Sequence, residues 1–407
     1  MVVLLCLAYG VVNVDLLGIN YLLPFIKPSL ALTNGQVGML LAGFWTACAA
    51  GSWIGGAQID KARHPKRLLA VLLAVFAVVS PISGLTAGFG ELLGARILMG
   101  AIEGPIAALL LSMVASGSTD ARRGFNVAVV QSLGSSILGA TVAPIVLVSV
   151  ARTYGWRFGF FTVAVPALAC AALVGYFLPE PRRADDLSHG AHGKRAASDG
   201  ARGVLATITS RNVIWCAFGA AFDAGFVWIV MGFLPLFYVG TRHVSTQSMS
   251  FIMALLGVSS TVLCIGLPLI SDRLGRKPVL LVASIMGLLL PVIALEAHGS
   301  ITLIAVLLAV TWAPVGLTSL FWATIPAESV APQSIATAIG FISAFGTFVG
   351  GVVAPSLAGW SADRWGPRAP LMLALLYVVG IVVAAVMIRE PHRVARDPSL
   401  AAANQQA

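Results

Sequence analysis

Charge is scarce in this sequence. Of its 407 residues 10% are Asp, Glu, Lys or Arg and 58% are hydrophobic, against roughly a quarter charged in soluble domains. That balance excludes an ordinary water-exposed globular surface. Histidine is also scarce: all six lie outside the long apolar runs, which excludes a His cluster within a membrane. The five cysteines, Cys6, Cys48, Cys170, Cys216 and Cys264, fall inside those runs without metal-type spacing and read as small core residues rather than bridges or ligands. No metal or cofactor is expected. Long polar stretches are almost missing, and the one interruption, Pro179 to Arg211, is too short for a signalling domain. With no phosphate loop and no Ser/His/Asp set, an enzyme or sensor has nothing to rest on.

What the sequence does have is apolar runs of about 20 residues, each long enough to cross a hydrocarbon core of roughly 30 Å as a helix. Twelve fit: 1–26, 36–57, 68–88, 91–115, 124–150, 158–178, 212–238, 250–270, 278–297, 301–325, 335–360 and 369–389. The first run lacks a basic leader, and "LPFIKPSL" after it lacks a small-residue cleavage site, so it is expected to stay in the mature protein. A cytoplasmic amino-terminal tail would require a start upstream of Met1. The net charge of +9 follows from topology. If the chain begins inside, eighteen Lys and Arg fall in cytoplasmic segments and six on the other side, Lys27, Arg152, Arg157, Arg242, Arg364 and Arg368. The positive-inside rule then puts both termini in the cytoplasm, and nucleic acid is not needed to explain the basicity.

The polar interruption divides six runs from six, giving units 1–178 and 212–389, a linker 179–211 and a tail 390–407. A shift of 211 or 212 positions aligns the halves: Leu23-Pro24 meets Leu234-Pro235, Gln36 meets Gln247, Asp60 meets Asp272, Gly104 meets Gly316, Ala143-Pro144 meets Ala354-Pro355, and Gly155 and Arg157 meet Gly366 and Arg368. A constant offset shared by Asp, Gln, Pro and Arg indicates tandem six-helix repeats related by an axis along the membrane normal, with a solute site between them near the midplane. The expected fold is an all-α membrane protein of two pseudo-symmetric bundles.

Two short loops sharpen this. "GAQIDKARHPKR" from Gly56 and "SDRLGRKP" from Ser271 resemble the Gly-x-x-x-Asp-Arg-x-Gly-Arg-Lys loop of the major facilitator superfamily, and "GATVAPIVLVSVARTYGWRFGF" from Gly139 resembles that family's fifth-helix Gly/Pro motif. Pro268 replaces the leading glycine of the second copy, and Arg63 stands at the inner glycine of the first. The resemblance implies a cytoplasmic gate built on Gly56, Asp60, Lys61, Arg67, Asp272, Arg273, Gly275 and Arg276, with Asp60 latching the eleventh span and Asp272 the fifth. Physically, so short a connection makes a tight antiparallel hairpin, and an aspartate there can face the positive end of a neighbouring helix.

Charged groups within apolar runs are costly and face a cavity or a partner. Four stand out: Asp15, Arg96, Glu103 and Asp223. Glu91, Glu296 and Glu328 sit at span ends and are expected to be solvated. Arg96 and Glu103, in "RILMGAIEGP", are two helical turns apart on one face, about 10 Å along the axis, so each needs a partner on another helix. With Asp15 they would form a network of two acids and one base, neutral only when one carboxyl holds a proton. The proton-coupling candidates are therefore Asp15, Glu103 and Arg96. The equivalents of Arg96 and Glu103 in the second half are Leu308 and Val315, which confines coupling to the first half. The second half offers Trp228, Thr311, Trp312, Thr318, Ser319, Trp322, Ser343 and Thr347 to a solute, with Asp223 as a second titrating or solute-binding group. Asn13, Asn20 and Arg96 complete the candidate solute contacts.

"RILMGAIEGP" together with "DLLGINYLLP" from Asp15 is similar to the anion:cation symporter branch, whose members import sugar acids and other carboxylates with protons. The resemblance implies coupling roles for Asp15, Arg96 and Glu103. It also implies an arginine after the aspartate, where Leu16 stands, and tyrosines where Asn13 and Cys48 stand. The expectation is uptake of a small organic acid with protons by a monomer in a bacterial inner membrane. A proton-driven exporter of drugs or metabolites is the alternative with the same fold and acids.

Overall fold

The computed structural model describes residues 1–59, 64–119, 122–178, 201–331 and 334–390. Among these there is no strand, and twelve helices are long and apolar enough to cross a membrane. They are α1 (Val2–Ser29), α2 (Asn34–Gly55), α3 (Pro65–Leu85), α4 (Phe89–Ser116), α5 (Val129–Tyr154), α6 (Trp156–Phe177), α7 (Arg211–Gly240), α8 (Thr246–Leu274), α9 (Arg276–Glu296), α10 (Ile301–Ser329), α11 (Ile335–Trp365) and α12 (Ala369–Met387). Each expected run became one helix, with ends moved by a few residues. A short helix, Ala201–Ile208, precedes α7. The linker residues 179–200, the tail from 391 and the loop bearing Asp60 and Lys61 lie outside the described residues.

The repeat is visible in backbone detail. Within α5 the helix widens to π geometry over Gly134–Val142, and within α11 over Thr347–Val353; both π segments end at the same place under the 211 offset. Each is followed by Ala-Pro, Ala143-Pro144 and Ala354-Pro355. Proline has no N–H to give the preceding turn, and a widened turn is one way a helix absorbs the disturbance. Both helices then end at a glycine with positive φ, Gly155 at 92° and Gly366 at 91°, a backbone conformation that side-chain-bearing residues rarely adopt. Just beyond, Arg157 donates to the Thr86 carbonyl at 3.2 Å, and its counterpart Arg368 lies 3.5 Å from Glu296.

Close packing holds the first bundle. A methyl on Gly100 would overlap the Phe44 carbonyl, and one on Gly104 the Cys48 carbonyl, so α4 lies directly on α2. Small residues permit this approach where lipid gives helices no hydrophobic reason to associate.

We call the side bearing the 179–211 linker the linker face and the opposite side the far face. The two halves meet through α1 with α7, α2 with α11, and α5 with α8. The α2–α11 contact falls on 347–365 of α11 rather than on 335–346, that is, in its far-face half. There Asp363 of α11 accepts hydrogen bonds from the backbone N–H groups of Asn34 (2.9 Å) and Gly35 (2.6 Å) and from the Asn34 amide (2.9 Å). A carboxylate at the start of α2 satisfies N–H groups that have no partner within the helix and meets its positive dipole end. The symmetry-related contact joins Arg152 of α5 to Gln247 of α8 at 2.9 Å. Tyr21 and Pro24 of α1, Pro144 and Val148 of α5, and Pro235 and Met249 of α7 and α8 line a small apolar cleft where the halves meet. The far face is thus fastened shut by two related polar contacts around an apolar seam.

Removing the Asp363 carboxylate is expected to loosen this closure. In the Asp363→Ala variant, spin labels at Leu30 and Trp365 will show a longer-distance population absent from the parent, while Arg364→Ala, one residue away, leaves the distance unchanged.

Candidate functional site

The charged residues of the first half come together. Asp15 of α1 and Arg96 of α4, each 1% exposed, form an ion pair with Arg96 Nη1 2.7 Å from Asp15 Oδ2. The other carboxylate oxygen, Oδ1, accepts from Ser80 Oγ of α3 at 2.6 Å. Asp15 therefore has both oxygens engaged, as a buried charge requires. The Arg96 guanidinium lies over the Phe44 ring of α2, 4.9 Å from its centroid, in a cation–π contact that strengthens where water is absent. Its Nη2 has no hydrogen-bond partner.

Glu103 is enclosed as well, 2% exposed. It sits two turns nearer the linker face on the same side of α4 as Arg96. Its carboxyl lies beside that of Asp15 and within electrostatic reach of Arg96, and of Tyr9 and Cys48 on α1 and α2, and no basic or neutral donor is directed at either of its oxygens. Two carboxyl groups thus share one guanidinium, which is committed to Asp15. The trio is near neutral only with a proton on one acid, and the acid without a strong partner is Glu103.

The other candidates divide. Asn20 of α1 is 1% exposed with both amide atoms unpartnered, and it faces Gly232 of α7 across the seam. Asn13 donates to the Tyr9 carbonyl in its own helix at 2.8 Å and packs on Gly139. Trp228 of α7 meets Trp45 of α2 in a tilted ring contact with centroids 4.6 Å apart, joining the halves, and Trp45 also lies against Gly351 of α11. Trp322 has an indole N–H with no partner, and its ring abuts Gly346. Ser343 is half-buried on α11. Trp312 is fully enclosed, donates to Ser260 at 2.9 Å and lies tilted against Phe226 with ring centroids 5.3 Å apart. By the 211 offset Phe226 is the counterpart of Asp15, so aromatic packing fills the place of the ion pair.

At the linker face the second signature loop makes these contacts among the described residues. Asp272 and Arg276 pair at 2.7 Å, and Arg276 pairs with Glu328 of α10 at 2.6 Å, so Glu328 is bonded rather than simply solvated. Glu390 accepts from the backbone N–H groups of Arg276 (2.6 Å) and Lys277 (2.7 Å) and so occupies the positive end of α9. Gly275, at φ 99°, makes the turn that allows this. Arg273 and Arg67 are exposed, and Gly56 lies just past the α2 span in a helix that continues to Ile59. The expected contact of Asp272 with the start of the fifth span falls on side chains outside the described residues, as do Asp60 and Lys61.

Ser80, Phe44, Trp45, Arg152 and Asp363 were not singled out from the sequence. Ser80 interrupts an apolar run as "VVSPISG", and the Gln36/Gln247 match marked where the halves touch; those were the available signals.

The major facilitator superfamily model matches residues 5–355 and 269–406. The chain belongs to the major facilitator superfamily. It is 26% identical over 382 residues to the "Hexuronate transporter" of Bacillus subtilis (strain 168), covering 90% of this chain and 88% of that one. It is 23% identical over 377 residues to the "Probable sulfoacetate transporter SauU" of Cupriavidus necator, covering 89% and 86%. Its fold matches that of a bacterial homologue of the human lysosomal transporter Spinster, with a TM-score of 0.75 at 16% identity over 95% of each chain. The relatives are membrane transporters, not enzymes, and those named are named for organic acids. This superfamily member is a multi-pass membrane transporter of small molecules.

Taking away one partner of the Asp15–Arg96 pair leaves a charge stranded in an apolar interior, a loss of about 3–5 kcal/mol. Arg96→Met is therefore expected to lower the detergent melting temperature sharply, and the Arg96→Met, Asp15→Asn double variant to recover part of the loss. Equal melting of single and double variants would mean that the pair is not coupled.

Proposed function

We propose that this transporter is a proton symporter that imports a small organic acid, probed best as a carboxylate, by alternating access across a bacterial inner membrane. The observation that carries this reading is the buried trio in which Asp15 and Glu103 share the single cation Arg96. Asp15 and Glu103 exchange the proton, and Arg96 balances charge or receives the anionic solute on its unpartnered Nη2. When the solute carboxylate approaches, Arg96 divides its attention between two anions, and the acid it leaves is the one that takes a proton. Solute and proton then enter together because either alone leaves an unmatched charge in a low-dielectric site.

The names of the relatives, a hexuronate and a sulfoacetate transporter, support an acidic solute. Asn20, Trp228, Trp322 and Ser343 are the further groups that would meet it. In this reading both termini and the linker are cytoplasmic, so the molecule stands closed to the outside. Asp363 and Arg152 are its outer fastening. The loops with Gly56, Asp60, Lys61 and Arg67, and with Asp272, Arg273, Gly275 and Arg276, form the inner gate, and a single chain is the working unit.

The test is reconstitution into liposomes with an imposed proton gradient and a panel of carboxylates, sugars and lipophilic cations. A carboxylate is expected to accumulate on the side to which protons flow, acidifying that lumen. Extrusion against the proton flow would establish an exporter instead. In Glu103→Gln, uptake is expected to lose its response to the gradient while solute exchange without a gradient continues; full retention of the response would remove Glu103 from the coupling.

A further inference from the structure

The second half holds one buried carboxyl that the coupling trio does not use. Asp223 of α7 is completely enclosed. Its Oδ2 accepts from Thr318 Oγ1 at 2.8 Å, and its Oδ1 has no partner. From α8, Cys264 is within electrostatic reach. From α12, Tyr377 packs its ring on Gly225 and Phe222. The facing stretches 313–324 of α10 and 335–353 of α11 contain no ionisable residue. Among the described residues no Lys or Arg interacts with Asp223. A carboxylate so placed needs a proton or another cation to be tolerated.

Thr318 is placed to sense which form is present. It follows a 3₁₀ turn, Ala313–Leu317, and precedes a π turn, Leu320–Thr324, so α10 is irregular at this depth. Carbonyls near the break are met from α8: Ala309 accepts from Ser259 at 2.5 Å, and Val315 from the Cys264 thiol at 3.4 Å. The Thr318 hydroxyl has one hydrogen but two acceptors within reach, Asp223 Oδ2 at 2.8 Å and the Val315 carbonyl at 2.9 Å. It can donate to only one at a time.

We propose that Asp223 is a second proton-binding site, independent of Asp15 and Glu103, and that Thr318 reports its occupancy to the break in α10. With Asp223 ionised, Thr318 donates to its carboxylate. When a proton arrives, one O–H bond forms on the carboxyl, Asp223 becomes the donor to Thr318 Oγ1, and the threonine hydrogen turns to the Val315 carbonyl. Nothing else changes covalently; the proton leaves by the reverse step. Irregular backbone beside an acidic group near the midplane is the kind of site at which transporters hold coupling cations. Its part in transport rests on the symport reading, whereas its titration does not.

The two are separated by measuring them separately. Infrared difference spectra of the full-length protein in nanodiscs, titrated across about pH 5 to 9, are expected to contain a carboxylic-acid C=O band that is lost in Asp223→Asn and kept in the Asp15→Asn, Glu103→Gln variant. Asparagine is isosteric and retains an acceptor for Thr318. Thr318→Val, which keeps the volume and removes the hydroxyl, is expected to shift the frequency of that band. Titration spectra of Asp223→Asn that superimpose on the parent's, or a band unmoved by Thr318→Val, would overturn the site. In proteoliposomes the proton-to-solute ratio is expected to fall by one in Asp223→Asn; an unchanged ratio overturns the role in transport. If the parent moves solute with no proton at all, it is the symport reading that fails, and the infrared result still decides whether Asp223 titrates.

Discussion

The ion pair between Asp15 and Arg96 is the interaction from which the chemistry of this molecule follows. In an interior of low dielectric the pair is tolerated because two further helices complete it: Ser80 from α3 engages the second carboxylate oxygen, and Phe44 from α2 covers the guanidinium face. Satisfying Asp15 so fully leaves Glu103 with the unmatched charge. A site with one more acid than base changes its charge state whenever a proton or an anion arrives. An inert scaffold has no need of that surplus, which is costly in a membrane.

The two halves share a skeleton but not a function. Helix distortions, glycine turns and far-face contacts recur at the 211 offset, whereas Asp15, Arg96 and Glu103 are replaced by Phe226, Leu308 and Val315. Where the first half places a charge pair, the second stacks Phe226 on Trp312. The second half moves its polar chemistry elsewhere, to Asp223 and the break in α10. The two halves thus have similar backbones and different electrostatics.

Fold and topology were legible in the sequence because hydrocarbon thickness fixes the length of each run and the repeat fixes the pairing of the runs. Asp15, Arg96 and Glu103 were legible for the same reason: in an apolar stretch a charge is conspicuous. The unread part consisted of residues whose type is ordinary where they stand. Serine in a membrane helix more often bonds its own backbone than a carboxylate, so Ser80 carried no distinguishing mark. Asp363 and Arg152 lie just outside the apolar runs, where a charge is ordinary, and only the docking of one half on the other gives Asp363 a helix end and Arg152 a glutamine. For Trp312 the sequence was silent in another way, since an indole is equally suited to lining a pocket and to filling a core.

The paired π segments in α5 and α11 have a mechanical implication. A widened turn followed by proline interrupts the i→i−4 ladder, so each half carries a mismatched stretch of backbone at the same depth. That mismatch is matched in position between the two bundles, whereas the charge trio belongs to one bundle alone.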